Sequence, residues 1–433
     1  MASASLALDA SLAGALRGKR CKHATALPTI SIHHRQPCKT MTLSVTTDER
    51  TVNFRGLRTL EVILKITERC NLDCDYCYFF NAGDDSYQHH AAFIADDTVA
   101  LLVRRLEQFS REYELQRIAI HLHGGEPLLI PKARFDSICE EIRTGLAHVV
   151  DLSMTLQTNG MLIDLEWIEM FNRHGVEVGV SLDGAKVHND AHRRDHRGRS
   201  SYQATVRGLA LCQEHLHREP MILAVVGENF DPKEIYEHFR HDLNVRHLDF
   251  LLPDLNHDNF RGDAEAYGDF LIMIFDMMVK DEESVSVRFI DHFLARIYGH
   301  GNFLFGARRG DPDYLLLTVS SDGGVGPDDT LRSTTYWSGY EYRDLKSSSI
   351  EEIIRDPLFH EFEYFKKTPA SACSDCCWRE VCGSGQPVHR YARHNGFGNP
   401  TIYCQGLDKF YTHVVKYLAL HGESLERVGA DLI

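Results

Sequence analysis

The chain has no run of eighteen apolar residues, so no segment reads as a transmembrane helix. It has no secretory signal either. Its first forty residues are Ala/Ser-rich, basic and nearly free of acid, but no long apolar core follows a basic start. An excess of positive charge is also missing: 47 basic residues stand against 62 acidic ones, for a net charge of −15. That argues against nucleic acid or an anionic membrane as the main partner, and leaves room for a peptide with basic segments. Internal repeats are absent, and no low-complexity tract occurs beyond the N-terminus. Without an export signal, a cytoplasmic location is expected.

With 433 residues, 43% of them hydrophobic, the chain can bury a large enzyme domain plus an accessory module. Residues 1–40 have a composition that transit peptides share. They are read as a disordered extension or an over-long start, with Met41 as the initiator.

The most telling absence is local. "CNLDCDYC" places Cys70, Cys74 and Cys77 at offsets of four and three, with no fourth cysteine nearby. A structural zinc or an ordinary [4Fe–4S] cluster takes four protein ligands. Either a remote cysteine completes this set, or something other than protein does. A second group holds Cys373, Cys376, Cys377, Cys382 and Cys404. Clustering without a secretion signal points to metal rather than disulfides. Cys139 and Cys212 lie in helical apolar patterns and read as small core residues.

From Leu60 onward, short β-branched runs alternate with amphipathic stretches. The strand-like runs are Leu60–Ile66, Arg117–His123, Asp151–Gln157, Glu177–Leu182, Met221–Val226 and His247–Leu252. Helical patterns such as "DTVALLVRRLEQFSREY" and "LEWIEMFNRHG" lie between them, the latter closed by Gly175. Six strand–helix units imply a parallel sheet with right-handed crossovers, an α/β barrel, complete or open. Chemistry then gathers at the carboxyl ends of the strands, where the cysteine triplet and "GGEP" (Gly124–Pro127) both fall. After about residue 300, turn-rich stretches alternate with short strands, followed by the cysteine-rich tail and a closing helix.

CxxxCxxC after a first strand, with aromatic Tyr76 before the last cysteine, resembles the radical S-adenosylmethionine (radical SAM) superfamily. The resemblance implies a partial (β/α)6 barrel over residues 58–300. It also implies a [4Fe–4S] cluster held by Cys70, Cys74 and Cys77, with the fourth iron chelated by SAM. An open iron suits a catalytic site, and the cofactor carries the hard chemistry. "GGEP" is similar to that family's SAM-amine site, with Gly124 and Gly125 allowing close backbone approach and Glu126 facing the ammonium; an ordinary turn is the alternative. Ser181 and Asp183 of "SLDG" would meet ribose and carboxylate groups, and Arg193 the SAM carboxylate, with Arg194 as an adjacent substitute.

The tail, C-x2-C-x5-C-x21-C on Cys373, Cys376, Cys382 and Cys404, resembles a SPASM domain over residues 301–420, a zinc knuckle being the alternative. Gln386 stands where fully equipped SPASM domains carry a further cysteine, and "TVSSDGGVGPDDTLRSTTYWSGY" lacks the cysteines of an inner cluster. One auxiliary [4Fe–4S] cluster is therefore expected, with Cys377 a spectator.

"LEVILKITERCN", "HLHGGEPLLIPKARFD", "LQTNGMLID", "DFLLPDLNHDN" and "CGSGQPVHRY…NGFGNPTIYC" together look like the XyeB-type cyclophane-forming peptide maturases, over residues 58 to 410. The resemblance implies a ribosomally made precursor peptide and an electron donor such as flavodoxin or ferredoxin. It implies a bond from an aromatic ring carbon to the β-carbon of the residue two positions later. Asp254 and His257, after the sixth strand, are the positional candidates for the proton acceptor. The stretch before the first strand is shorter than the roughly eighty residues of a leader-recognition domain. A leader would then be read at the barrel–tail cleft or a strand edge. Formylglycine-forming sulfatase maturation and thioether formation are the enzymatic rivals. A non-catalytic Fe–S or zinc carrier would explain the cysteines but not "GGEP" and "SLDG" at strand ends.

Overall fold

Every β-branched run becomes a strand: β1 (Thr59–Thr67), β2 (Arg117–Gly124), β3 (Asp151–Thr158), β4 (Val176–Ser181), β5 (Met221–Val225) and β6 (His247–Leu251). These come from a computed structural model that describes residues 54, 56–298, 314–338 and 343–421; residues 1–40 and the turn "GARRGDPD" lie outside the described residues. The six strands are parallel neighbours in sequence order. A two-residue strand, β7 (Ser286–Val287), pairs with β6 at one edge.

The crossovers between successive strands are α1 (Asp96–Tyr113), α2 (Lys132–Leu146), α3 (Leu165–His174), α4 (Lys186–His192) with α5 (Tyr202–His215), and α6 (Pro232–Glu237). Their sequences set their limits. In α1, Val99, Leu102, Val103, Leu106 and Phe109 are buried at helical spacing, on one stripe. In α3, Asp164 accepts from Trp167 N at the start, and Gly175 ends the helix in the left-handed conformation.

β1 is buried along nearly its whole length, as a central parallel strand must be. Leu60, Val62, Leu64 and Ile66 join the core under the helices, while Glu61, Ile63 and Lys65 face the other way, into the barrel. Two charged residues on the inner face of the first strand mark that interior as polar.

The sheet does not stop at residue 300. β8 (Tyr314–Val319) pairs in parallel with β1, in register from Thr59↔Tyr314 to Leu64↔Val319. β9 (Gly324–Gly326) and β10 (Arg343–Asp344) continue it antiparallel, giving the order β10-β9-β8-β1-β2-β3-β4-β5-β6-β7. A ten-stranded open sheet thus runs across the boundary expected between the two domains.

Beyond β6 lie α7 (Ala264–Met278) and α8 (Arg288–Ile297); α9 (Pro357–Lys367) precedes the cysteine-rich tail, and α10 (Cys404–Leu420) closes it. α10 lies against α7 at backbone distance. A Cβ at Gly406 would strike the Ala264 carbonyl, and one at Gly268 the Gly406 backbone. This crossing fixes the start of α10, and with it Cys404, against the barrel. No helix among the described residues is long and apolar enough to cross a membrane.

Gly406→Ala is expected to lower stability by about 1–3 kcal/mol, the usual cost of overpacking a closed interface. Urea midpoints of the variant and wild type measure it.

Candidate functional site

β1 delivers the chain to the cysteine triplet, and two other strand ends hold it there. On the β2 side, Gly125 N donates to Thr67 O (3.0 Å) and Glu126 N to Arg69 O (2.8 Å). A Cβ at Gly124 would collide with the Thr67 carbonyl, and one at Gly125 with the Arg69 carbonyl. The two glycines expected to admit a ligand therefore admit the cysteine loop itself. On the β4 side, Asp73 N donates to Arg194 O (2.8 Å), His196 Nε2 to Cys70 O (3.0 Å), and His192 Nδ1 pairs with Asp75 (2.8 Å). Within the loop, Cys77 N closes a turn on Cys74 O (3.0 Å), and Leu72 N points at Cys70 Sγ (3.4 Å).

The three thiols are half-buried and perturb one another. Burial pushes Cys70 up to about 12, helped by Glu126 and the other two thiols. Burial likewise pushes Cys74 up to about 11, against the pull of Arg193, and raises Cys77. Among the described residues no three His, Cys, Asp or Glu side chains converge on a point that would hold a single ion. The fit of a cluster rests on the mutual proximity of the thiols and the clamped loop around them. Free thiols in such a place hold their protons, and binding iron as thiolates would release them.

Glu126 is 1% exposed. Its carboxylate accepts from Leu128 N (3.0 Å), Thr158 Oγ1 (2.6 Å) and Asn159 N (2.8 Å), tying the ends of β2 and β3 together. Asn159 Nδ2 passes the link on to Asn71 Oδ1 (2.7 Å), beside Cys70. A carboxylate has roughly four acceptor sites, so three protein donors leave room for one more.

Tyr76, Asp183 and Arg193 come together as one buried unit. Tyr76 Oη donates to Asp183 Oδ2 (2.7 Å), Arg193 Nη1 to Tyr76 Oη (2.8 Å), and Val225 N to Asp183 Oδ1 (3.0 Å). Burial pushes the Asp183 carboxyl up, opposed by the Arg193 charge. Arg194 turns away, its Nε donating to Asp190 O, so Arg193 is the arginine that faces the triplet. Ser181, also buried, lies 3.4 Å from Gln157 Nε2.

Sequence reasoning missed a second polar layer inside the barrel. Lys65 on β1 and Asp329, in the turn after β9, form an ion pair with both side chains fully buried. Tyr78 Oη donates to Asp329 Oδ2 (2.8 Å), and Lys65 Nζ donates to His123 Nδ1 (3.0 Å). Burial pushes His123 down to about 3, with Lys65 adding to it, so the imidazole is neutral. Burial works against the Asp329 carboxylate, but the Lys65 charge overrides it and holds the group well below the usual range. The available signal was a lysine inside the apolar run "LEVILKI".

The loop after β6 separates the two candidates placed on it. His257 is exposed and fastens that loop to the tail, its Nε2 donating to Pro400 O (2.8 Å) and its N to Tyr391 O (3.0 Å). Asp254 points inward. Burial pushes it up to about 7, with Asp328 and Asp329 adding to it. Its Oδ1 lies 3.9 Å from His389 Nε2, and neither atom has a hydrogen-bond partner among the described residues. His389, pushed down to about 3 by burial, is a neutral imidazole.

In the tail, Cys373 lies close enough to act on Cys376, Cys382 and Cys404, as a ligand of one shared site would. Burial pushes Cys382 up to about 12, with Cys404 and Cys373 next in effect. Cys377 is exposed, as Cys376 and Cys404 are, and lies beside Asp408 and Cys376. The buried Tyr411 hydroxyl, from α10, has no partner that meets hydrogen-bond geometry and lies against Cys382.

The sequence profile of the Radical SAM superfamily matches residues 64–241, from the middle of β1 to the turn before β6. Residues 64–241 are a radical SAM domain. Such a domain works with a [4Fe–4S] cluster and SAM, and the clamped triplet is where its cysteines fall. The chain is similar to the serine-type anaerobic sulfatase-maturating enzyme of Klebsiella pneumoniae, at 28% identity over 83% of this chain and 88% of that one. It is also similar to the cysteine-type anaerobic sulfatase-maturating enzyme of Clostridium novyi, at 24% identity over 84% and 99%. Among solved structures, native anSMEcpe with bound AdoMet superposes with a TM-score of 0.71, at 23% identity over 83% of this chain and 98% of that one. That likeness extends the shared fold past the radical SAM domain into the tail.

Gly125→Ala is expected to cost about 1–3 kcal/mol and to lower the iron bound at the triplet, read by iron analysis after anaerobic reconstitution. For Asp254 the sign is definite. Between about pH 4 and 7 it is protonated in the folded chain and ionised in the unfolded one, so its contribution to stability falls as pH rises. Asp254→Asn should remove that slope, seen as urea midpoints that decline less than those of wild type over the window.

Proposed function

We propose that the chain is a radical SAM maturase of a ribosomally made precursor peptide, joining an aromatic ring carbon to the β-carbon of a nearby residue. When bound at Cys70, Cys74 and Cys77, the cluster and SAM supply a 5′-deoxyadenosyl radical able to take hydrogen from unactivated carbon. The crosslink sheds two hydrogens overall. One leaves the β-carbon as an atom; the other leaves the ring as a proton and an electron.

The observation that carries this reading is the buried polar seam between the two cysteine groups. It runs from Tyr78, next to Cys77, through Asp329 and Asp254 to His389, between Cys382 and Cys404 of the tail. Asp254 is the proton acceptor: it titrates near neutrality, where a general base works best, and its inward oxygen is unpartnered among the described residues. Lys65 and Asp329 neutralise each other beside it, so the seam stays polar without an unpaired charge. Cys373, Cys376, Cys382 and Cys404 hold one auxiliary [4Fe–4S] cluster, and the electron leaves by way of that site. Glu126 and Arg193 face the ammonium and carboxylate of SAM, with Tyr76 and Asp183 holding Arg193 in place. Flavodoxin or ferredoxin in the cytoplasm is the expected electron donor.

A second reading is formylglycine formation on a sulfatase, favoured by the similarity to sulfatase-maturating enzymes. Against it, residues 314–372 contain no cysteine, so the tail offers one set of four and nothing for an inner cluster.

Coexpression with a precursor bearing aromatic-X-X motifs should yield peptide lighter by two hydrogens, with fragmentation suppressed inside the motif. Oxidation of serine to formylglycine loses the same mass, so an aldehyde-reactive hydrazide is the deciding reagent. Labelled product would overturn the crosslink. Asp254→Asn is expected to slow crosslinking by about 10²–10⁴, measured by product mass, while 5′-deoxyadenosine still forms.

A further inference from the structure

Arg390 has a buried guanidinium and, among the described residues, no carboxylate partner. The residue is 1% exposed. Its Nη1 donates to Phe365 O (2.8 Å), its Nη2 to Thr368 O (2.9 Å) and its Nε to Asn399 O (3.2 Å). Those carbonyls belong to the end of α9 and to the two segments that lead into Cys373 and Cys404, each five residues upstream of its cysteine. Around the same point, Ala370 N donates to Ser384 Oγ, Thr401 N to Ser384 O, and Ile402 N to His389 O. The guanidinium is thus the hub on which three stretches of the cysteine site are hung.

A carbonyl oxygen meets each of its three nitrogens but does not cancel its charge. Buried ions are normally paired, because an unpaired one is strongly disfavoured. Among the described residues the opposite charges that reach Arg390 are those of Cys373 and Cys382 as thiolates. A four-thiolate iron–sulfur cluster is net negative and gains one more negative charge on reduction. A fixed cation beside two of its ligands stabilises the reduced form more than the oxidised one.

We propose that Arg390 is a positioning residue that raises the reduction potential of the cluster held by Cys373, Cys376, Cys382 and Cys404, making it a better acceptor for the electron released by ring rearomatisation. The assignment rests on the reading of those four cysteines as one cluster site. It gives the tail a reason to bury a cation where its own core offers no counter-ion. It also couples assembly to potential, since the same side chain sets both the loop geometry and the local charge.

The test uses the full chain carrying Cys70→Ala, Cys74→Ala and Cys77→Ala, so that only the C-terminal site holds iron. After anaerobic reconstitution, its midpoint is measured by redox titration followed by electron paramagnetic resonance. Arg390→Gln is expected to lower the midpoint by at least a tenfold change in the oxidised-to-reduced ratio, which is 59 mV for one electron. Arg390→Lys, which keeps the charge, should stay close to the parent. A full iron content with an unchanged midpoint in Arg390→Gln overturns the assignment and leaves the cluster reading standing. If Arg390→Gln does not retain iron, Arg390→Lys decides: a midpoint near the parent upholds the role of the charge, and a tenfold drop overturns it. A parent that binds no iron overturns the four-thiolate reading, and the role of Arg390 with it.

Discussion

The backbone of residues 67–69 runs against Gly124 and Gly125 so closely that neither glycine has space for a side chain. The catalytic arrangement depends on this contact. It brings the end of β1 to the end of β2, and the hydrogen bonds of Gly125 N and Glu126 N hold it there. Glu126 then reaches β3, Asn159 returns to Asn71, and the 192–196 segment closes over the far side. Three cysteines on a surface loop would be mobile. Here the strand ends have already restricted that freedom, and the loop presents three thiols as a preorganised set.

Burial of charge is the second organising constraint. Lys65, Asp329, Arg193, Asp183 and Glu126 are all buried, and each is satisfied by a partner of opposite charge or by several hydrogen bonds. Such networks are costly to assemble and rigid once complete. Two other places are less complete. Asp254 and His389 face one another at 3.9 Å with atoms unpartnered among the described residues. Arg390 meets a carbonyl at each nitrogen but has no carboxylate partner among the described residues, beside the cysteines of the tail.

The tail is part of the barrel rather than an attachment to it. β8 extends the sheet beside β1, and the turn after β9 supplies Asp329 to the barrel interior. α10 reaches α7 through Gly406 and Gly268, two residues after Cys404 in the first case. Any shift of the tail would therefore be felt at Lys65 and at the seam.

The six strands, the helix limits around Asp164 and Gly175, and both cysteine groups were legible in the sequence, because hydrophobic period, caps and ligand spacing are local properties. Arg193 and Arg194 were a near choice there; in the structure Arg193 bonds to Tyr76, while Arg194 bonds to the Asp190 carbonyl. What local pattern did not contain was β8 beside β1 and the Lys65–Asp329 pair, whose members lie far apart in the chain. Nor did it distinguish Asp254, turned inward, from His257, spent on the Pro400 carbonyl. Strand registry and buried pairing arise from contacts of high sequence separation. The residue types and their spacing were thus determined by the sequence alone, and which of them share an interior was decided only when the sheet assembled.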